Sequence, residues 1–218
     1  MAKPLLIIGN KNYSSWSLRP YMALAQAGIP FDEKLIHFGD PKFREKVSRY
    51  SNAGLVPILK HNDIVIWESL AILEYIAETW PKKQLLPRNK SARALARSIC
   101  SEMHASFRPL RNECPVNIRR MPKPIVLSDG VKKDISRIDE LWSTVRTAYG
   151  KGGPFLFGKF TIADAMFAPV ASRIATYVIP VSKTAQAYVD TILSSRAFER
   201  WKEAALKEPW IVPEDEVD

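Results

Sequence analysis

Along the first eighty residues, short unbroken apolar runs alternate with helically spaced apolar positions. Leu5 to Ile8 is a continuous run of the kind buried strands carry. A helical pattern follows from Leu18 to Gly28, stopped by Gly28 and by Pro30 beyond it. Phe31 to His37 reads as a second strand, and the charged stretch Pro41 to Tyr50 as a short helix or loop. Val56 to Lys60 and Ile64 to Trp67 flank the turn signal His61-Asn62-Asp63, which predicts a hairpin. Glu68 to Thr79 then places Leu70, Leu73, Ile76 and Ala77 on one helical face. The order β-α-β-α-β-β-α, with right-handed crossovers between parallel strands, predicts a small α/β domain around one mixed four-stranded sheet.

The pattern changes between Trp80 and Lys90, where Pro81, Lys82, Lys83, Pro87 and Arg88 make a polar, proline-marked connection. Beyond it the strand signal nearly vanishes. Ser91 to Cys114 reads as one long helix kinked at Pro109, and Leu127 to Tyr149 as a second, broken by Gly150 to Gly153. Further helices are expected over Thr161 to Tyr177, Thr184 to Leu193 and Ala197 to Lys207, with the acidic end, Glu214 to Asp218, as a loose tail. The chain therefore divides into an α/β domain over 1–80, a linker over 81–89 and an all-helical domain over 90–218.

Charge and cysteine content narrow the function classes. The net charge of +9 raises a nucleic-acid partner, but the basic residues are spread along the chain and no nucleic-acid motif accompanies them, so none is expected. The same positive field would draw small anions. The amino-terminal apolar run is too short for a signal peptide and no stretch approaches a membrane span, so no membrane partner is expected. Cys100 and Cys114 on one helix would lie roughly 21 Å apart, beyond disulfide reach. With no disulfide framework and no metal-ligand spacing, a reducing cytoplasm and a metal-free site are the expectation.

Four places carry candidate chemistry. Asn12 to Pro20 sets Ser14, Ser15 and Ser17 between the first strand and the first helix, where unpaired N–H groups and the positive helix end suit an anion. Proline is tolerated only in the first turn, so Ser17 is the expected N-cap; a cap at Ser14 would leave Pro20 too deep. Taken alone, the stretch reads first as a capped turn. A serine hydroxyl there can also donate to a thiolate and lower its pKa, whereas a hydrolase triad lacks its nucleophile-elbow pattern. In Gly54 to Ile58, Pro57 opens a strand: either an edge device or a cis Val56–Pro57 bond that frees the Val56 amide groups for a peptide-like ligand. Glu68 and Ser69 open a helix, as dipole-favoured residues or as receivers of α-amino and α-carboxylate groups. Thr161 to Asp164 is a capping box with Asp in the N3 place, read as structural.

Together these features resemble the cytosolic glutathione transferases over nearly the whole chain, and in particular serine-type members such as the zeta class. The Ser-Ser-Cys-x-x-Arg signature of that class compares with Ser14-Ser15-Trp16-Ser17-Leu18-Arg19, Val56-Pro57 with the cis-proline strand, Glu68-Ser69 with the γ-glutamyl pair, and Thr161 to Asp164 with the folding cap. The resemblance implies a thioredoxin-like first domain followed by the helical domain. It also implies glutathione as co-substrate, no metal, a homodimer, and a role in detoxification. Ser14 would contact the glutathione sulfur with Ser15 as second donor; Val56 and Pro57 would hold the cysteinyl backbone, and Glu68 and Ser69 the γ-glutamyl end. Lys42 or Arg44 would meet the glycine carboxylate. Trp16 stands where the zeta class has cysteine, which argues against a close zeta assignment and against maleylacetoacetate isomerase activity. Serines in place of a thioredoxin-type Cys-x-x-Cys remove dithiol chemistry. Met103, His104, Phe107 and Arg111, with Arg108, form the candidate pocket for an apolar electrophile, although such a stripe reads first as core. The resulting expectation is a glutathione S-transferase. The alternatives are glutathione-dependent isomerisation, peroxide reduction or dehalogenation on the same site, or a non-catalytic protein-binding module.

Overall fold

The computed structural model describes residues 2–217. Strands β1 (Leu5–Ile8), β2 (Asp32–Leu35), β3 (Ile58–His61) and β4 (Ile64–Trp67) form one sheet in the order β2-β1-β3-β4. The β1–β2 pair is parallel and the β1–β3 and β3–β4 pairs are antiparallel. The hairpin turns on Asn62 and Asp63, with Asn62 at φ 54°, a conformation asparagine tolerates better than most residues. Helices α1 (Ser15–Gln26), α2 (Phe43–Ser48) and α3 (Ser69–Thr79) complete the first domain. The mixed sheet and the helical domain that follows it are as expected. On α3 the fully buried positions are Ser69, Ile72, Leu73 and Ile76, so the apolar stripe is rotated slightly from the one the sequence suggested, and Leu70 and Ala77 flank it.

Ser14, not Ser17, caps α1: its Oγ accepts from the Ser17 N–H at 3.3 Å. Pro20 therefore lies inside the helix and removes the N–H that would pair with the Trp16 carbonyl. A proline there costs about 3 kcal/mol, and burial overrides that cost, since nine of the helix residues from Ser15 to Leu24 are buried. The core of the α/β domain runs through α1 into the helical domain without a break.

The second domain comprises α4 (Lys90–Ala105), α5 (Arg108–Glu113), α6 (Asp129–Tyr149), α7 (Ile162–Thr176), α8 (Lys183–Leu193) and α9 (Arg196–Ala205). The expected single helix over Ser91 to Cys114 is two. Ser106 is extended and Phe107 takes φ 61°, so the chain turns before α5, and Pro109 falls harmlessly in the first turn of that new helix. The one-helix spacing of the cysteines consequently does not apply; both are free and buried. No helix among the described residues is long and apolar enough to cross a membrane.

Asp164, at the start of α7, accepts from the Thr161 N–H and hydroxyl, the Leu156 N–H and the Tyr188 hydroxyl. Burial pushes its carboxyl up to about 6 against these hydrogen bonds. The acidic end is not loose up to Val217. A 3-10 turn, Pro213–Asp215, carries Glu216 onto the Tyr13 hydroxyl and the Asn117 amide. Asp218 lies outside the described residues.

Candidate functional site

Where β1 ends and α1 begins, the chain makes a tight turn closed by the Ser14 N–H on the Asn10 carbonyl at 2.8 Å. Ser14 is spent locally: its hydroxyl donates to Ser17 Oγ at 2.8 Å while its oxygen caps the helix. Ser17 Oγ in turn accepts from the Gly9 N–H at 3.1 Å. Ser15 follows at the first helical position, and its hydroxyl takes no hydrogen-bond partner among the described residues. Both serines line a cavity of about 530 Å³ with Tyr13, Trp16, Phe38 and Phe43. Phe38 reaches it by packing over Gly9, where a Cβ would lie 2.4 Å from the ring. The Tyr13 hydroxyl is engaged at Glu216 and by Arg119, and burial, then the Glu216 contact, raises its pKa. That leaves Ser15 as the free hydroxyl of the turn.

A second cavity of about 340 Å³ adjoins the first, and the two share Trp16, Leu55 and Val56. It is lined by Val56, Pro57, Glu68 and Ser69, so four of the residues suggested for glutathione are brought together. The Val56–Pro57 bond is cis, and β3 begins only at Ile58, leaving Val56 outside the sheet ladder. Glu68 sits at φ 67°, a strained setting for a non-glycine residue, ahead of Ser69, which is almost wholly buried at the start of α3. Lys42, just before α2, and Arg44, on the exposed side of that helix, line neither cavity. The α2 residue that reaches the larger cavity is Phe43, because the helix turns its apolar side inward.

Of the residues suggested for the electrophile, Arg111 and Arg108 line the larger cavity. Met103 and Phe107 do not: both are buried in the main core, Phe107 because its left-handed turn folds it inward. His104 stands behind the wall, edge-on to Trp16 at 5.4 Å and 3.5 Å from Glu68. Burial and the nearby Arg19 lower its pKa, so at neutral pH it is an uncharged neighbour of Glu68 rather than an ion-pair partner.

Sequence reasoning missed Arg173 and Asp215, which line the larger cavity from α7 and from the carboxyl-terminal turn. A single arginine inside the apolar run of α7 is a signal that could have found the first. Arg173 Nε donates to the Cys114 carbonyl at 2.7 Å, while its Nη1 is buried without a partner. Arg19 is fully buried, with Nη1 on Ser69 Oγ at 3.3 Å, Nε and Nη2 unpartnered, and its guanidinium 4.2 Å from the Trp16 ring. The Arg111 guanidinium lies 5.3 Å from the centre of the same ring. Burial, reinforced by the other guanidinium groups, lowers Arg19 to about 9 and Arg173 to about 10. No carboxylate lies within ion-pair distance of Arg19, Arg111 or Arg173 among the described residues. The site therefore combines a helix N-terminus, a free hydroxyl and arginines without a contact ion pair, with Asp215 at the same cavity, a setting that suits an anion.

Residues 13–79 match the family model of the glutathione S-transferase N-terminal domain. The chain is 37% identical to a maleylacetoacetate isomerase of Rattus norvegicus over 113 residues, half of this chain and 51% of that protein. It is 29% identical to glutathione S-transferase 1 of Dianthus caryophyllus over 163 residues, 72% of this chain and 71% of that one. The chain thus spans about half the length of the isomerases it matches. Among solved structures, a glutathione transferase homologue from Burkholderia with bound glutathione superposes with a TM-score of 0.70 at 20% identity, over 94% of this chain and 98% of that one. A Tau class transferase from mango gives 0.70 at 19%, over 94% and 96%. The fold likeness extends over nearly the whole chain, and the sequence relatives over half of it include zeta-type isomerases, with Trp16 still standing where that class has cysteine. Residues 13–79 thus match the glutathione S-transferase N-terminal domain, and over nearly its whole length the chain shares the fold of the solved glutathione transferases.

Proposed function

We propose that the protein is a glutathione S-transferase. Glutathione lies in the smaller cavity, with its cysteinyl backbone along Val56 and Pro57 and its γ-glutamyl end at Glu68 and Ser69. Its sulfur reaches the start of α1, where Ser15 donates the hydrogen bond that favours the thiolate and Ser14 holds the helix end in place. The thiolate attacks an electrophile in the larger cavity, forming the carbon–sulfur bond as the leaving group departs or the adduct takes a proton. The observation that carries this reading is the junction of the two cavities at Trp16 and Val56, with the free Ser15 hydroxyl on the larger side and Glu68 and Ser69 on the smaller. An unperturbed thiol of pKa about 8.5 is only a few per cent ionised at pH 7. Lowering it by about two units makes the thiolate dominant and corresponds to roughly 2.7 kcal/mol.

A second reading, glutathione-dependent isomerisation of a carboxylate-bearing substrate, is favoured by Arg108, Arg111 and Arg173 around the larger cavity. In that case the thiolate adds to the substrate and is later expelled, leaving glutathione unchanged. Residues 1–80, 81–89 and 90–218 form the glutathione-binding domain, the linker and the helical domain. A cytoplasmic homodimer acting in detoxification completes the reading; exposed Ile64 and Trp67 on β4 supply an apolar surface for a second copy. Retention on immobilised glutathione, followed by an assay with a small chloronitroaromatic and one with a cis-unsaturated diketo acid, tests the proposal. Conjugation supports the transferase, isomerisation alone supports the second reading, and failure to bind glutathione contradicts both.

A further inference from the structure

The turn that leads into the serines, Lys11-Asn12, has its backbone groups bound by the helical domain. Glu208, just past α9, is buried, and its carboxylate accepts from two successive amides, Lys11 N–H at 2.7 Å and Asn12 N–H at 3.1 Å. The Lys11 carbonyl accepts from Trp201 Nε1 at 2.8 Å, and the Asn12 carbonyl from the Ile118 N–H at 3.1 Å. The Asn12 side chain pairs with the Asn117 side chain and the Arg119 N–H. Arg119 binds the Glu208 and Trp210 carbonyls, tying the segment after α9 to the same place. Buried backbone groups require partners. For Lys11 and Asn12 these come from residues more than a hundred positions away.

We infer that Glu208 is a positioning residue for thiol activation: its two-point hold on Lys11 and Asn12 sets the turn that aims Ser14 and Ser15. This rests on the transferase reading for its chemical consequence, while the hold on the turn stands on geometry alone. A carboxylate has two acceptor oxygens for the two amides, whereas a glutamine turns a donor towards one of them. Displacing the turn changes where the Ser15 hydroxyl and the α1 amides lie relative to the sulfur. The glutathione contacts proposed for the smaller cavity, at Val56 and Pro57 before β3 and at Glu68 and Ser69 where α3 begins, stay in place. Loss of Glu208 should therefore affect ionisation and turnover rather than glutathione binding.

The test compares Glu208→Gln with Glu214→Gln, which removes the same charge from an exposed carboxylate of the same segment. We expect Glu208→Gln to raise the thiolate pKa of bound glutathione by about half a unit or more. It should lower kcat by about tenfold with the KM for glutathione within about twofold, and speed amide exchange over residues 11–18 by about tenfold. Glu214→Gln should match the wild type in all three. Should Glu208→Gln fail to fold, Trp201→Phe, which removes the donor to the Lys11 carbonyl, should give the same pattern. A folded Glu208→Gln or Trp201→Phe protein with the wild-type thiolate pKa, kcat and exchange overturns the inference. If the wild type forms no thiolate, the transferase reading fails by itself; amide exchange then decides, and unchanged exchange in the variants still overturns the hold on the turn.

Discussion

Ser14 and Ser15 are adjacent, small and chemically identical, yet the fold gives them different work. Ser14 is bound up in capping α1 and in the hydrogen bond to Ser17, whereas the Ser15 hydroxyl is free beside the larger cavity. Loss of an N-cap side chain costs about 1 kcal/mol, so Ser14→Ala should lower stability by about that amount in denaturant unfolding, while Ser15→Ala should be close to neutral. On the proposed function, Arg111 is where charge selects the second substrate, since it lines the larger cavity with no carboxylate in ion-pair contact among the described residues. A hydrogen bond to a charged group contributes about 1.5–3 kcal/mol. Arg111→Gln should therefore raise the KM for an anionic electrophile by about tenfold or more and leave glutathione affinity unchanged in calorimetry. A neutral electrophile should be little affected.

Among the elements, α7 depends most on one side chain. Asp164 satisfies four donors, two of them backbone N–H groups. Each buried donor left without a partner costs about 1–3 kcal/mol. Asp164→Ala should lower the melting temperature by on the order of 10 °C, and a variant within 2 °C or so of wild type would contradict this role. The Thr-x-x-Asp spacing made this element legible in the sequence, as alternation and turn residues did for the hairpin and the α1–β2 order. The break before α5 was not legible, because Phe107 continues a helical apolar pattern and only its packing into the core imposes φ 61°. The α1 cap was misread for a related reason: the Pro20 rule describes an isolated helix, and the near-complete burial of α1 outweighs it. That Val56, Pro57, Glu68 and Ser69 share one cavity was legible because they lie just before a strand or where a helix begins. Arg173 and Asp215 were not, since nothing local says that α7 and the acidic end face the serines.

At the scale of the whole molecule, the α/β and helical parts share one core, and the helical part holds the turn that leads into Ser14 and Ser15. The acidic end looked like a solvated tail in composition, yet Glu216 and Asp215 lie against Tyr13 and the larger cavity. Such a placement arises from long-range partners that no local pattern encodes. The exposed Ile64 and Trp67 lie on β4, an edge strand of the sheet. If a second copy covers them, the wild type should sediment at twice the mass of one chain and Ile64→Lys should shift it towards the monomer; a monomeric wild type contradicts the dimer. The central claim, that the start of α1 ionises glutathione, is tested most directly by ultraviolet titration of the thiolate of bound glutathione. The account predicts a thiolate pKa about two units below that of the free thiol, raised by Ser15→Ala and raised further when Ser14 is replaced as well. A bound thiol that titrates like free glutathione, or identical titrations in wild type and the Ser14 and Ser15 double variant, would contradict it.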